Sequence, residues 1–102
     1  MTFCYFVVIN SYMNITYDKA KSDKNRAERG LSFDMVAEMD FRAAFIAEDT
    51  RFVYPERRYI VAAPLEGRLH IAIITRAKGG IRVISFRKAN SREIESYRIN
   101  MG

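Results

Sequence analysis

Three cations fall within nine residues at 81–89 (IRVISFRKA), and a carboxylate is followed by two guanidinium groups at Glu56-Arg57-Arg58. These are groups suited to holding and splitting a phosphodiester. Cleavage of RNA needs a base for the 2′-hydroxyl proton, cations for the charge that builds on phosphorus, and an acid for the leaving 5′-oxygen. The substrate supplies its own nucleophile, so no cofactor is expected. Strand alternation across 81–87 puts Val83, Ser85 and Arg87 on one face and Arg82, Ile84 and Phe86 on the other. One of the two arginines is then structural unless a β-bulge turns it round. Arg87 and Lys88 stand where Arg58 and Arg76 from neighbouring strands can join them around a phosphate. The competing reading leaves Arg82 at a sheet edge and gives Arg87 and Lys88 to solvent or the next helix. Glu56 is a candidate base, although a surface ion pair is the commoner fate of such a residue. Tyr59 and Tyr97 are candidate proton donors or stacking platforms, and each also suits the rim of a core. His70, the sole histidine, is an acid or base by type, but its place in mid-strand favours a half-buried structural role.

These residues need a sheet to carry them. The pattern predicts a short strand over 15–17, then a helix over 19–29 capped by Asp18 and stopped by Gly30. Ala20 and Ala27 are the only apolar residues of that helix, so it must lie largely exposed. Ser32 opens a second helix in which Phe33, Val36 and Ala37, with Met39 and Asp40 after them, follow helical spacing and give it a core face. Strands follow over 43–47, 58–64, 68–75 and 81–87. The short glycine-containing joints at 65–67 and 78–80 suit antiparallel hairpins, because parallel neighbours need a crossover of about a dozen residues. Asn90 with Glu93 forms a capping box for a last helix over 91–97. The expected fold is α+β, an antiparallel meander of about four strands with two N-terminal helices and one C-terminal helix.

The chain has 102 residues, a formal net charge of +5 and 49% apolar residues, which fits a single domain with one modest core. The charge is segregated: six basic against eight acidic residues up to Thr50, then eleven against four. In the second part Arg outnumbers Lys nine to two. Arginine grips phosphate in two-pronged fashion, so nucleic acid or an acidic protein is the implied partner, with an ordinary solvated strand face as the plain alternative. One Cys excludes an internal disulfide framework, and no Cys/His cluster suggests a structural metal. The longest apolar run, 3–9, is far shorter than the roughly 20 residues of a spanning helix, so no membrane is expected and a reducing cytoplasm is the simplest setting. Residues 1–12 read as an N-terminal extension before Met13, a second candidate initiator, and 13–102 as one domain.

Taken in order, Tyr17-Asp18, Lys21 and Asn25, Arg29-Gly30, Leu31-Ser32-Phe33, Glu56-Arg57-Arg58, Thr75-Arg76, IRVISFRKA, Arg92-Glu93 and Tyr97 form a pattern over more than four fifths of the chain. It resembles that of the BrnT toxins of bacterial type II toxin–antitoxin systems. Three positions depart from it: Tyr17 stands for a Trp, Arg29 for a His and Phe86 for an Ala. The resemblance implies a RelE-like ribonuclease fold, RNA cleavage that arrests translation, and neutralisation by a cognate antitoxin of the BrnA type. Operator DNA is then met only through that antitoxin. By carry-over, Glu56, Arg58, Arg82, Arg87, Lys88 and Tyr97 are the implied catalytic residues, with Lys21 as an RNA contact. Glu56 serves as base, the cations hold the phosphate and Tyr97 stacks or donates a proton. Arg76 joins Lys21 as an RNA-binding residue, and no metal is implied.

Overall fold

The structure is a computed structural model that describes residues 14–101. The expected extension at 1–12 lies outside the described residues. In chain order it contains β1 (Asn14–Tyr17), α1 (Lys19–Arg29), two 3-10 turns (Phe33–Glu38 and Phe41–Ala43), β2 (Phe45–Glu48), β3 (Arg58–Leu65), β4 (Arg68–Ala77), β5 (Gly80–Lys88) and α2 (Ser91–Met101). One five-stranded sheet runs in the order β1-β5-β4-β3-β2.

The α+β class is as expected, but the sheet is mixed rather than a four-stranded antiparallel meander. β1 joins its edge parallel to β5, with Ile15 opposite Ile81 and Tyr17 opposite Val83. Everything between them serves as the crossover that a parallel pair requires. Gly80 permits this docking: a Cβ there would lie 1.9 Å from the Asn14 carbonyl oxygen. The hairpins fall where the glycines put them. Glu66 and Gly67, with φ of 52° and 78°, make the two-residue β3–β4 turn that matches right-handed strand twist.

The segment after Ser32 corrects the expected second helix. Its buried residues, Phe33, Val36 and Met39, recur every third position. That spacing lines up on a 3-10 turn of three residues and drifts round an α-helix, and burial decides the matter. α1 follows the expectation. Asp18 accepts from the Lys21 backbone N–H at 3.1 Å, and Gly30 closes the helix in the left-handed region at φ 75°. Only Ser22 is buried along it, where its hydroxyl accepts from the Phe33 N–H. Asn25 donates to the carbonyls of Leu31 and Phe86 and so ties α1 to β5.

The main core lies on the sheet face beneath the 3-10 turns. There Val61, Ala63, Ala72, Ile74, Ile81, Val83 and Phe86 meet Leu31, Phe33, Val36 and Phe41. On the other face a smaller cluster of Ala62, Leu69, Ile71 and Ala89 is partly covered by Ile94 and Tyr97 of α2. The rest of that second face is open, and it carries arginines.

Candidate active site

A bulge decides which way the β5 cations point. Ile73 pairs with Ser85 but Ile74 pairs with Val83, so Ile84 is an extra residue in the ladder. Before it, Ile81 and Val83 face the main core; after it, Phe86 does. The inserted residue shifts the alternation by one. Arg82 and Arg87 therefore share the open face, where strict alternation would have separated them. Arg82 stands opposite Thr75, and Thr75 opposite Arg58, so Arg58 and Arg82 flank β4 in one row. At the usual strand spacing their Cα atoms lie about 10 Å apart. Arg87 follows along β5, about 15 Å from Arg82 by strand rise. The three form a line on an open surface rather than the walls of a deep pocket.

Arg82 is exposed, and the other two arginines of the line have defined surroundings. Arg58 donates through Nε to Glu56 at 3.2 Å and lies over the Tyr54 ring, 4.4 Å from its centroid. Thr75 gives its hydroxyl proton to the Arg57 carbonyl, which braces the start of β3. Arg87 binds Glu93 in two-pronged fashion at 2.8 and 2.6 Å. The hydrogen bonds from Arg87 hold the Glu93 carboxyl below its ordinary value against the opposing effect of burial. The same pair raises the Arg87 guanidinium. Glu93 also accepts from the Asn90 backbone N–H, and Asn90 returns the bond to the Glu93 N–H, which completes the expected capping box.

The loop between β2 and β3 is organised by a knot that sequence reasoning missed. Asp49, 3% exposed, accepts from Arg51 Nε and Nη2 at 2.8 Å each, from the Arg51 backbone N–H, and from the Tyr54 hydroxyl. The Arg51 side-chain bonds are the largest cause that holds the Asp49 carboxyl well below the usual carboxylate range; burial opposes them. This knot places Tyr54 beneath Arg58 and leads the chain to Glu56. The spacing of an Asp two residues before an N–H donor, an Asx turn, was its available signal.

The other expected site residues lie elsewhere. Tyr97 packs against the second-face cluster, and its hydroxyl donates to the Ala43 carbonyl. Its proton is thus already engaged in holding α2 against the 3-10 turn that precedes β2. Lys21 is exposed on α1, which packs on the 3-10 turns of the opposite layer. Arg76 pairs with Ile81 and so alternates onto the face opposite the arginine line. Lys88 has the parity of Phe86 and borders a hollow with Arg29, Leu31 and Arg87. Among the described residues no three His, Cys, Asp or Glu side chains come together to hold a metal, and no helix is long and apolar enough to cross a membrane.

An arginine line on an open sheet face, with a carboxylate beside it, is an arrangement for an extended phosphate backbone. Comparison with family models finds a match over residues 17–93 to BrnT, the ribonuclease toxin of type II toxin–antitoxin systems. The chain belongs to the BrnT family. A search of the curated proteins finds no match to it. The matched BrnT region runs from the end of β1 to the Glu93 that binds Arg87, and includes Glu56, Arg58, Arg82 and Lys88. Tyr97 lies beyond it. Membership makes the chain a ribonuclease toxin by family, with RNA as substrate and an antitoxin as partner.

Proposed function

We propose that this BrnT chain cuts single-stranded RNA on the open face of its sheet, without a metal ion, and thereby arrests translation until an antitoxin of the BrnA type covers that face. The observation that carries the reading is the Ile84 bulge, which brings Arg82 and Arg87 onto the face already occupied by Arg58. Glu56 takes the 2′-hydroxyl proton. The 2′-oxygen forms a bond to phosphorus as the bond from phosphorus to the 5′-oxygen breaks, which leaves a 2′,3′-cyclic phosphate and a 5′-hydroxyl. Arg58, Arg82 and Arg87 stabilise the charge on the phosphoryl oxygens, and solvent at the open face returns a proton to the 5′-oxygen. Tyr97 keeps α2 in place. Lys21, Arg76 and Lys88 lie outside this line and bear on RNA beyond the cleaved bond. Operator DNA is met through the antitoxin alone.

The test is cleavage of a single-stranded RNA by the purified chain in the presence of a chelator. Glu56→Gln and Arg87→Ala are expected to slow it, the latter by about 10² to 10³. Cyclic-phosphate ends are expected on the products. Unchanged rates in both variants would overturn the site. RNA that is bound but never cut would make the chain a non-catalytic basic module.

A further inference from the structure

At the far end of the sheet the chain holds a second basic feature that the arginine line does not use. β1 pairs with β5 only as far as Val83, so the Ser85–Lys88 part of β5 has an outer edge without a strand partner among the described residues. Beside it, the end of α1 and the β3–β4 turn enclose a notch of about 440 Å³ bordered by Arg29, Arg68, Lys88, Glu66 and His70. Three cations against one carboxylate make it an anion site by charge. The separate hollow that joins Arg29 and Lys88 to Arg87 links this notch to the arginine line.

Its floor is built. His70 is 4% exposed, and its ring lies 5.5 Å from the Phe86 ring at a tilt of 30°. Nδ1 is 2.7 Å from the Arg68 carbonyl oxygen. A carbonyl only accepts, so Nδ1 carries a hydrogen, and Nε2 is the ring nitrogen left to meet a ligand. Nε2 has no hydrogen-bond partner among the described residues. No fully enclosed side-chain nitrogen or oxygen among the described residues lacks one, and His70 is among the residues that line the notch. A nearly buried ring nitrogen on the border of a notch that three cations also line has unmet hydrogen-bonding capacity.

We propose that this notch is a ribonucleotide subsite, in which Arg29, Arg68 and Lys88 hold a phosphate and His70 Nε2 accepts a hydrogen bond from the adjoining ribose 2′-hydroxyl. The 2′-hydroxyl is the group by which a protein tells RNA from DNA at a given site, and here it is the donor that Nε2 lacks. This rests on RNA being the substrate, and it adds a point of discrimination at a distance from the cleaved bond. An RNA strand would pass Arg82 and Arg87 and reach the notch by way of the hollow that Arg29, Lys88 and Arg87 border.

The full chain contains one histidine, so a ¹⁵N-imidazole spectrum reports on His70 alone. Titration with adenosine 3′-monophosphate is expected to move the Nε2 resonance. The 2′-deoxy nucleotide should bind about two- to tenfold more weakly, the worth of one hydrogen bond. His70→Leu should bring the two affinities together without weakening the deoxy nucleotide, which a merely structural histidine would not do. Arg29→Ala should weaken both alike. Saturation without movement at Nε2, or equal affinities in the parent chain, would overturn the proposal. Neither nucleotide contains a bond that the chain can cut, so this outcome is independent of whether RNA is cleaved.

Discussion

Glu93→Gln should make the protein less stable and a better binder of RNA. In the structure both Nη groups of Arg87 are taken by Glu93, at 2.8 and 2.6 Å, with the two side chains 34% and 29% exposed. A well-buried charge-assisted hydrogen bond contributes about 1.5–3 kcal/mol and an exposed ion pair about 0.2–1 kcal/mol. At one-third exposure the loss should be about 1–2 kcal/mol. Gln retains an oxygen for the Asn90 N–H, so the capping bond survives and the loss isolates the ion pair. For a domain near 100 residues each kcal/mol lowers Tm by about 4–8 °C, so a fall of roughly 5–15 °C is expected. The same change releases Arg87 toward phosphate and raises the formal net charge from +5 by one unit. One charge-assisted contact to phosphate corresponds to about tenfold in affinity. Thermal melting and fluorescence anisotropy with a short single-stranded RNA, under conditions in which a gel shows it intact, measure the two effects. If Glu93→Gln weakens RNA binding as much as Arg87→Ala does, Glu93 aims Arg87 at its ligand rather than competing for it, and the reasoning fails.

Three more expectations follow from particular contacts. Asp49→Asn leaves the largely exposed Arg51 guanidinium without its carboxylate, and should cost about 1–2 kcal/mol and expose the 50–57 loop to proteolysis before the sheet opens, as limited digestion would show. Asp49 and Glu93 are both held below their ordinary values of 3.8 and 4.5, so each contributes stability that is fully present above those values. That stability is lost as pH falls through the depressed folded values; denaturant melts should be flat from neutral pH to about 5 and then weaken, less steeply in Asp49→Asn. Gly80→Ala would force a Cβ to within 1.9 Å of the Asn14 carbonyl and should detach β1, with loss of amide-exchange protection at residues 14–17 and a stability cost above about 2 kcal/mol.

The parts of this fold that local chemistry dictates were legible. Asp18 and Gly30 bound α1, Asn90 and Glu93 cap α2, and glycines at 67 and 79 close the two hairpins. Each of these signals acts within a few residues. The parallel pairing of β1 with β5 was not legible, because its partners lie more than sixty residues apart and a four-residue strand carries no mark of its direction. The 3-10 turns were misread because Phe33, Val36 and Met39 also satisfy one side of an α-helical stripe. At the site, the residue types were visible but their faces were not. Ile84 is an ordinary strand residue, and nothing beside it signals an insertion. Without that insertion Arg82 and Arg87 cannot share a surface. The knot at Asp49 and the notch at His70 were hidden for a related reason, since burial and convergence decide their chemistry.

The salt dependence of RNA binding tests the arginine line most directly. For single strands the slope of log affinity against log salt falls by about 0.7 for each phosphate contact removed. Arg82→Ala and Arg87→Ala should each reduce it by that amount, and the double variant by about 1.4. Slopes unchanged from the parent in all three proteins would show that this face does not carry the RNA backbone.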